Sequence, residues 1–287
     1  MGMGHLPEKA SVSGLLIPLV SFVMKTVRQT WLLLTLLHAV PVVLFWTLGF
    51  PAGFLSLAAV HLTLLGFTLC PRSTPLGRAR RSFPADGRTL FLTIDDGPCN
   101  DTPAFLELLA AHGAKAIFFL IGERAAARPD LVGAIRAAGH HIGNHTQTHP
   151  EKSFWAFGPG AQRGEIGQCQ GTLAAPTGER PVWFRAPAGF RNPFTHPILE
   201  ELNLACLGWT ARAFDTRPAP IPVQMARLRP AFVPGAILLI HQGCPHSLSL
   251  LEALLTELTA GGWSCGLPPP VPNDTSVRPA GTPPASC

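Results

Sequence analysis

Residues 89–98 read TLFLTIDDGP, an apolar, β-favouring run that ends in two adjacent carboxylates and a Gly-Pro turn. Carboxylates side by side at the end of a buried strand are costly unless a cation holds them. The other reading makes one Asp a helix cap and leaves its neighbour in water. Working outward, further strand-like runs lie at 116–121 (AIFFLI), 182–184, 205–209 and 236–240 (AILLI). Helix-like stretches at 102–112, 129–138, 160–174, 193–202 and 248–260 separate them. This alternation predicts an α/β domain with a parallel sheet over residues 88–267, long enough for one core. No GxGxxG follows the first strand, so an open doubly wound sheet lacks its usual mark. A small barrel, with its site at the carboxyl ends of the strands, fits better.

Upstream, residues 29–71 contain no Asp, Glu, Lys or Arg, and 47% of the 287-residue chain is hydrophobic. One membrane crossing needs about 20 apolar residues, so this gap holds two, 31–50 and 51–70, with Pro51-Ala52-Gly53 as the expected turn. A cleavable signal peptide fits less well, because the run is too long for its apolar region. Residues 1–28 form an N-terminal segment whose apolar part, 14–24, reads as interfacial, and 72–87 reads as a basic linker. The Pro-rich stretch 268–287 is too poor in apolar residues to pack and is expected to be disordered. The net charge is +5, but residues 1–81 carry seven basic and one acidic side chains, leaving 15 against 16 for the rest. The excess therefore flanks the apolar hairpin and belongs to topology and lipid headgroups, which argues against nucleic-acid binding. Charge bias favours the cytoplasmic face of a membrane, in a multi-pass arrangement of the bacterial inner-membrane kind, over the outer face. Seven cysteines without a CxxC pair point to neither a disulfide scaffold nor a zinc ribbon.

The second chemical signal is HTQTHP at 145–150. Histidines four apart share one side of a helical turn, as two imidazole ligands of one metal would. With a strand-end Asp they make an Asp/His/His set that leaves coordination positions for water and substrate.

In order, TIDDGP, HTQTHP, FRAPAG (184–189), WTARAFDT (209–216) and LLIH (238–241) resemble the five motifs of the NodB-homology polysaccharide deacetylases, carbohydrate esterase family 4. The resemblance runs from about Arg88 to Leu267. It implies a distorted (β/α) barrel, here preceded by the transmembrane helical hairpin. It also implies one divalent metal ion, zinc before others, that polarises an N-acyl carbonyl and activates water. Carried over position by position, Asp95 resembles the catalytic base, and Asp96, His145 and His149 the metal ligands. Arg185 resembles the arginine that fixes the base, and His241 the general acid, with Asp215 orienting it. Ala188 stands where the family usually has an aromatic residue whose backbone N–H helps hold the oxyanion, and alanine keeps that N–H. Leu239 resembles the apolar residue under the acyl methyl group. Thr216 follows Asp215 where the family commonly has Trp, so the apolar groove is altered. Ile94 replaces a usual Phe, His140 and His141 match no family ligand and read as structural, and Cys99 reads as a small filler.

The implied partner is an N-acylated amino-sugar glycan, N-acetylated first. A membrane hairpin also suits a polyprenyl-linked sugar precursor, deacylated or deformylated at the membrane. A non-catalytic metal-binding membrane scaffold is the remaining alternative, and the complete set of motif residues argues against it.

Overall fold

A computed structural model describes residues 26–268. The expectations for the interfacial segment 14–24 and for the tail beyond 268 lie outside the described residues.

The core is a parallel sheet of short strands. Thr89–Gly97 (β1), Ala116–Leu120 (β2), His141–Asn144 (β3), Trp183–Phe184 (β4), Ala205–Cys206 (β5), Ala211–Arg212 (β6) and Ile237–His241 (β7) stand in the order β5-β4-β3-β2-β1-β7-β6. A last strand, Ser264–Cys265 (β8), pairs with the start of β1. One stretch of chain supplies both outer strands. Its first half pairs with β4 and its second with β7, with only residues 207–210 between. The sheet therefore curls into the expected barrel, and of the run read as one strand over 205–209 only 205–206 is strand, the next beginning at 211.

Strand alternation assigns the faces. Leu90, Leu92, Ile94, Phe118, Leu238 and Ile240 belong to the large outer core shared with the helices. Phe91, Ile117, Phe119, Trp183, Leu207 and Ile237 form a separate cluster inside the curl. The helices are Thr102–Ala111 (α3), Gly122–Ala127 (α4), Pro129–Ala137 (α5), Pro159–Thr177 (α6), Thr195–Glu201 (α7), Ile221–Leu228 (α8) and Ser247–Ala260 (α9). α9 buries Leu250, Leu251, Leu254, Leu255 and Leu258, the i, i+3, i+4 spacing of a helix stripe.

Before the barrel come two apolar helices, Val27–Leu48 (α1) and Phe50–Thr68 (α2), each long and apolar enough to cross a membrane. The turn between them is Gly49 alone, at φ 89°, and not the expected Pro51-Ala52-Gly53. Pro51 sits in the first turn of α2, where a missing N–H costs nothing. Gly53 lets α2 close on α1, since a Cβ there would lie 2.6 Å from that of Phe45.

The stretch 72–87 lies against the barrel. Arg80 bridges to Leu207 and Ser82 to Ala236, while the ring of Phe83 packs between Phe91 and Trp183 at 5.1 and 5.4 Å. Buried Arg191 ties down its start by donating to the carbonyls of Pro71, Ser73 and Gly77. The foot of α1 reaches the same region, with Trp31 against Phe194 at 4.9 Å.

Candidate active site

Asp95 ends the inward row of β1, and its register partner on β7 is His241, so neighbouring strands aim both side chains at the same mouth. Alternation would send Asp96 to the outer face. The register with β2 shifts between Asp95 and Gly97, and Asp96 takes φ 67°, a bulge that turns its carboxylate back inward. Asp96 Oδ1 then lies 3.4 Å from His145 Nε2, while Asp95 Oδ2 lies 3.6 Å from the same nitrogen.

The two histidines do not share a helical turn as the spacing predicted. They sit in the loop after β3, which folds back through positive φ at Thr146 (70°) and His149 (56°). Polar contacts hold this loop. Asn144 Oδ1 accepts from the Thr146 N–H, and Thr146 Oγ1 accepts from the His149 N–H. The Glu165 carboxylate on α6 accepts from both the N–H and the hydroxyl of Thr148, at 2.9 and 2.8 Å. His149 Nε2 is thereby brought 3.4 Å from Asp96 Oδ1.

Asp96, His145 and His149 fit a metal on three counts. Their candidate ligand atoms all lie within 4.8 Å of one another. Asp96 Oδ1 is buried without a hydrogen bond, the state of a lone pair kept for a cation. Ligand atoms about 2.1 Å from one ion at tetrahedral angles stand about 3.4 Å apart, which matches both Asp96–His spacings. The Arg185 carbonyl, 2.8 Å from His145 Nδ1, is an acceptor only, so Nδ1 carries the proton and Nε2 offers its lone pair. Burial, with His145 beside it, lowers the pKa of His149 to about 4 and keeps that ring neutral. Burial alone would raise the pKa of Asp96, but His145, with His241, holds it well below the usual carboxylate range.

Arg185 is 1% exposed and spends its guanidinium inside the barrel. One nitrogen donates to Asp95 Oδ1 at 2.7 Å and to Thr93 Oγ1 at 2.8 Å, and the others reach the carbonyls of Leu207 and Gly208. Its face lies over Phe119 at 4.3 Å, and that ring fills the space left by Gly143, where a Cβ would lie 2.5 Å away. Opposite, His241 Nδ1 donates to Asp215 Oδ1 at 2.8 Å, and the His241 backbone N–H donates to Oδ2 at 2.7 Å. Burial lowers the His241 pKa, but the bond to Asp215 and its charge outweigh that and raise it. Leu239, 2% exposed, faces inward two residues below His241. Ala188 occupies the middle of a single 3-10 turn, Pro187–Gly189, at φ 52°. His140 is buried, accepting from the Ala116 N–H and packing on Phe118. It is structural, as its place outside the motifs predicted.

All nine sequence-nominated site residues lie at the mouth of the barrel or on the strands and turn that line it. The sequence missed the supports: Thr93, Asn144, Glu165, Trp209, and Arg124, which donates to the Asp96 carbonyl. One weak signal existed, since Thr93 sits in the same inward row as Asp95.

The family model described as polysaccharide deacetylase matches residues 83–207. Asp215, Leu239 and His241 therefore lie beyond the matched span. A chitooligosaccharide deacetylase of Sinorhizobium fredii is 32% identical over 198 residues, covering 66% of this chain and 89% of its own length. A peptidoglycan-N-acetylglucosamine deacetylase of Bacillus cereus is 31% identical over 186 residues, covering 61% and 67%. Among solved structures, a family 4 carbohydrate esterase from Streptomyces lividans in complex with acetate superposes with a TM-score of 0.59 at 27% identity, covering 64% of this chain and 94% of that one. A family 4 pseudoenzyme from Bacillus anthracis does so with a TM-score of 0.60 at 25% identity, covering 66% of each.

Proposed function

This chain belongs to the polysaccharide deacetylase family, whose members hydrolyse N-acetyl amide bonds, and on that basis we propose that it deacetylates an amino sugar in a glycan, N-acetylglucosamine first. Asp96, His145 and His149 would hold one divalent ion, zinc first. The buried, unbonded Asp96 Oδ1, 3.4 Å from two imidazole nitrogens and one residue from Asp95, carries this reading. When bound, such an ion supplies Lewis acidity toward the acyl oxygen and toward water.

The chain's own groups supply the proton transfers. Arg185 fixes Oδ1 of Asp95, leaving Oδ2, on the side of His145, to take a proton from the attacking water. The Ala188 N–H, presented by its left-handed turn, donates to the oxygen that gains charge. His241 has Nδ1 committed to Asp215, so its proton for the leaving nitrogen sits on Nε2. Leu239 gives the acyl methyl an apolar floor. Acetate release from N-acetylglucosamine oligomers and glycan fragments, lost on chelation and restored by zinc, is the expected result. No release from any acylated amino sugar, with metal bound, would favour the scaffold reading, and a family pseudoenzyme of this fold makes the assay necessary.

A lipid-linked sugar is a second reading, favoured by one observation. The turn carrying Ala188 is continuous with Arg191, which is bonded to Pro71 and Ser73 just past α2. The acyl site thus stands beside the foot of the hairpin. We propose that the hairpin anchors the domain to a membrane at its cytoplasmic face. Fusions after Cys287 test the side: an active alkaline phosphatase with a dark cytoplasmic reporter would reverse it.

A further inference from the structure

Between the acid–base residues and the barrel's edge stands a cation that the reaction does not use. Arg212 on β6 is the register partner of Leu239 on β7. Its neighbours Ala211 and Ala213 pack outward into the helix-side core, so Arg212 and Phe214 project toward the inner face and the mouth. The guanidinium lies 3.9 Å from the centroid of Phe214 and 5.4 Å from that of Trp209. Arg185 lies 5.8 Å from the same Trp209 ring, so one indole contacts both Arg212 and the arginine that holds Asp95.

Arg185 is neutralised by Asp95, whereas no ion pair among the described residues includes Arg212. The acid whose charge acts on it, Asp215, has both oxygens committed to His241. Arg217 and Arg227 add positive charge nearby, Arg227 reaching 5.4 Å from Phe214, and burial together with Arg217 lowers the pKa of Arg212. Stacking explains how the half-buried cation is tolerated but leaves its chemistry open. Rings occupy the face of a guanidinium, while the N–H donors radiate from its edge in a fork that matches a carboxylate or a phosphate. Phe214 holds φ 57°, a costly backbone for a bulky residue, and is 38% exposed, so the ring stacked on the guanidinium stands partly in solvent.

We propose that Arg212, framed by Trp209 and Phe214, is a subsite for an anionic group, phosphate or carboxylate, carried by the amino-sugar substrate next to the acylated sugar. The inference rests on the deacetylase reading and narrows its substrate to an anionic amino-sugar conjugate. The anion is either the phosphate of a lipid-linked sugar or the carboxylate of an acidic glycan, and the same fork serves both.

The test compares wild-type, R212Q and R212K full-length protein in detergent. Substrates are a neutral N-acetylglucosamine trisaccharide, the same trisaccharide with a reducing-end phosphate, its prenyl phosphate form, and a fragment containing muramic acid. The readout is the ratio of kcat/KM for each anionic substrate to that for the neutral one. Wild type should prefer at least one anionic substrate by roughly tenfold or more, the scale of a hydrogen bond to a charged group. R212Q should lose that preference and R212K should keep part of it. Preference for the phosphates assigns the lipid-linked source, and preference for the muramic fragment the glycan source. A preference unchanged in R212Q, or none in wild type, overturns the subsite. Failure of the deacetylase reading looks different, because no substrate then releases acetate. Titration calorimetry with N-acetylglucosamine 1-phosphate and N-acetylglucosamine then decides: tighter phosphate binding lost in R212Q supports the subsite, and equal affinities refute it.

Discussion

The two halves of the site are built on opposite plans. Asp95 with Arg185, and Asp215 with His241, are bonded pairs on or beside strands, with contacts of 2.7–2.8 Å. Asp96, His145 and His149 hang on a bulge and a loop and face one another at 3.4 Å without closing any bond among themselves. Of these seven residues, only Asp96 and His149 hold positive φ, both in the second half. Such backbone costs about 1–3 kcal/mol per residue and persists only where the surroundings enforce it. The pairs are thus complete as folded, while the trio is shaped for something added. That difference should divide mutations into two classes.

The largest effect belongs to the complete half. Arg185→Met removes the guanidinium bonded to the buried Asp95 carboxylate, leaves it only the His145 imidazole at 3.6 Å, and should destabilise the metal-free protein by about 3–5 kcal/mol in thermal or denaturant unfolding. His149→Ala, on a partly exposed loop, should change the metal-free protein by less than about 1 kcal/mol. Equal losses would erase the distinction between the halves.

Next comes His241→Ala, which should lower kcat by about 10²–10⁴ while the metal stays bound. Near-normal kcat would remove His241 from the reaction. Metal removal is a smaller lever. Zinc at one hundred times its Kd stabilises by about 2.7 kcal/mol, so chelation should lower the Tm of wild type but hardly that of His149→Ala. A zinc-dependent Tm in that variant would point to another site.

Much of this was legible in the sequence, for a physical reason. TLFLTI and AILLI are apolar because both faces of those strands are covered, and such runs announce themselves. His141–Asn144 carries one large apolar residue, so the strand that delivers His145 was invisible. The barrel's two outer strands, of two residues each at 205–206 and 211–212, are too short for a period to set their bounds. Residue types and spacing nominated the nine candidate site residues through the family resemblance. The backbone turns that aim Asp96 and His149 could not be found that way, because neither residue type favours positive φ strongly enough to mark it. The linker misled most, since its basic and Pro/Gly composition hid Leu76 and Phe83, both buried.

The smallest expected effect is a shift in pH. Asp215 raises the His241 pKa above its ordinary 6.5. An acid must be protonated to act, so activity falls as pH rises through that pKa. Asp215→Asn removes the raising charge and should move the alkaline limb of kcat to lower pH, with a milder loss of kcat than His241→Ala. An unmoved limb would show that Asp215 does not tune the imidazole.

The most direct test of the two-plan account is the zinc content of wild type, Asp95→Asn and His149→Ala after equilibrium dialysis at one free zinc concentration. The account predicts one equivalent in wild type, one in Asp95→Asn despite its lost turnover, and a large deficit in His149→Ala. Full zinc in His149→Ala, or its loss in Asp95→Asn, would contradict it.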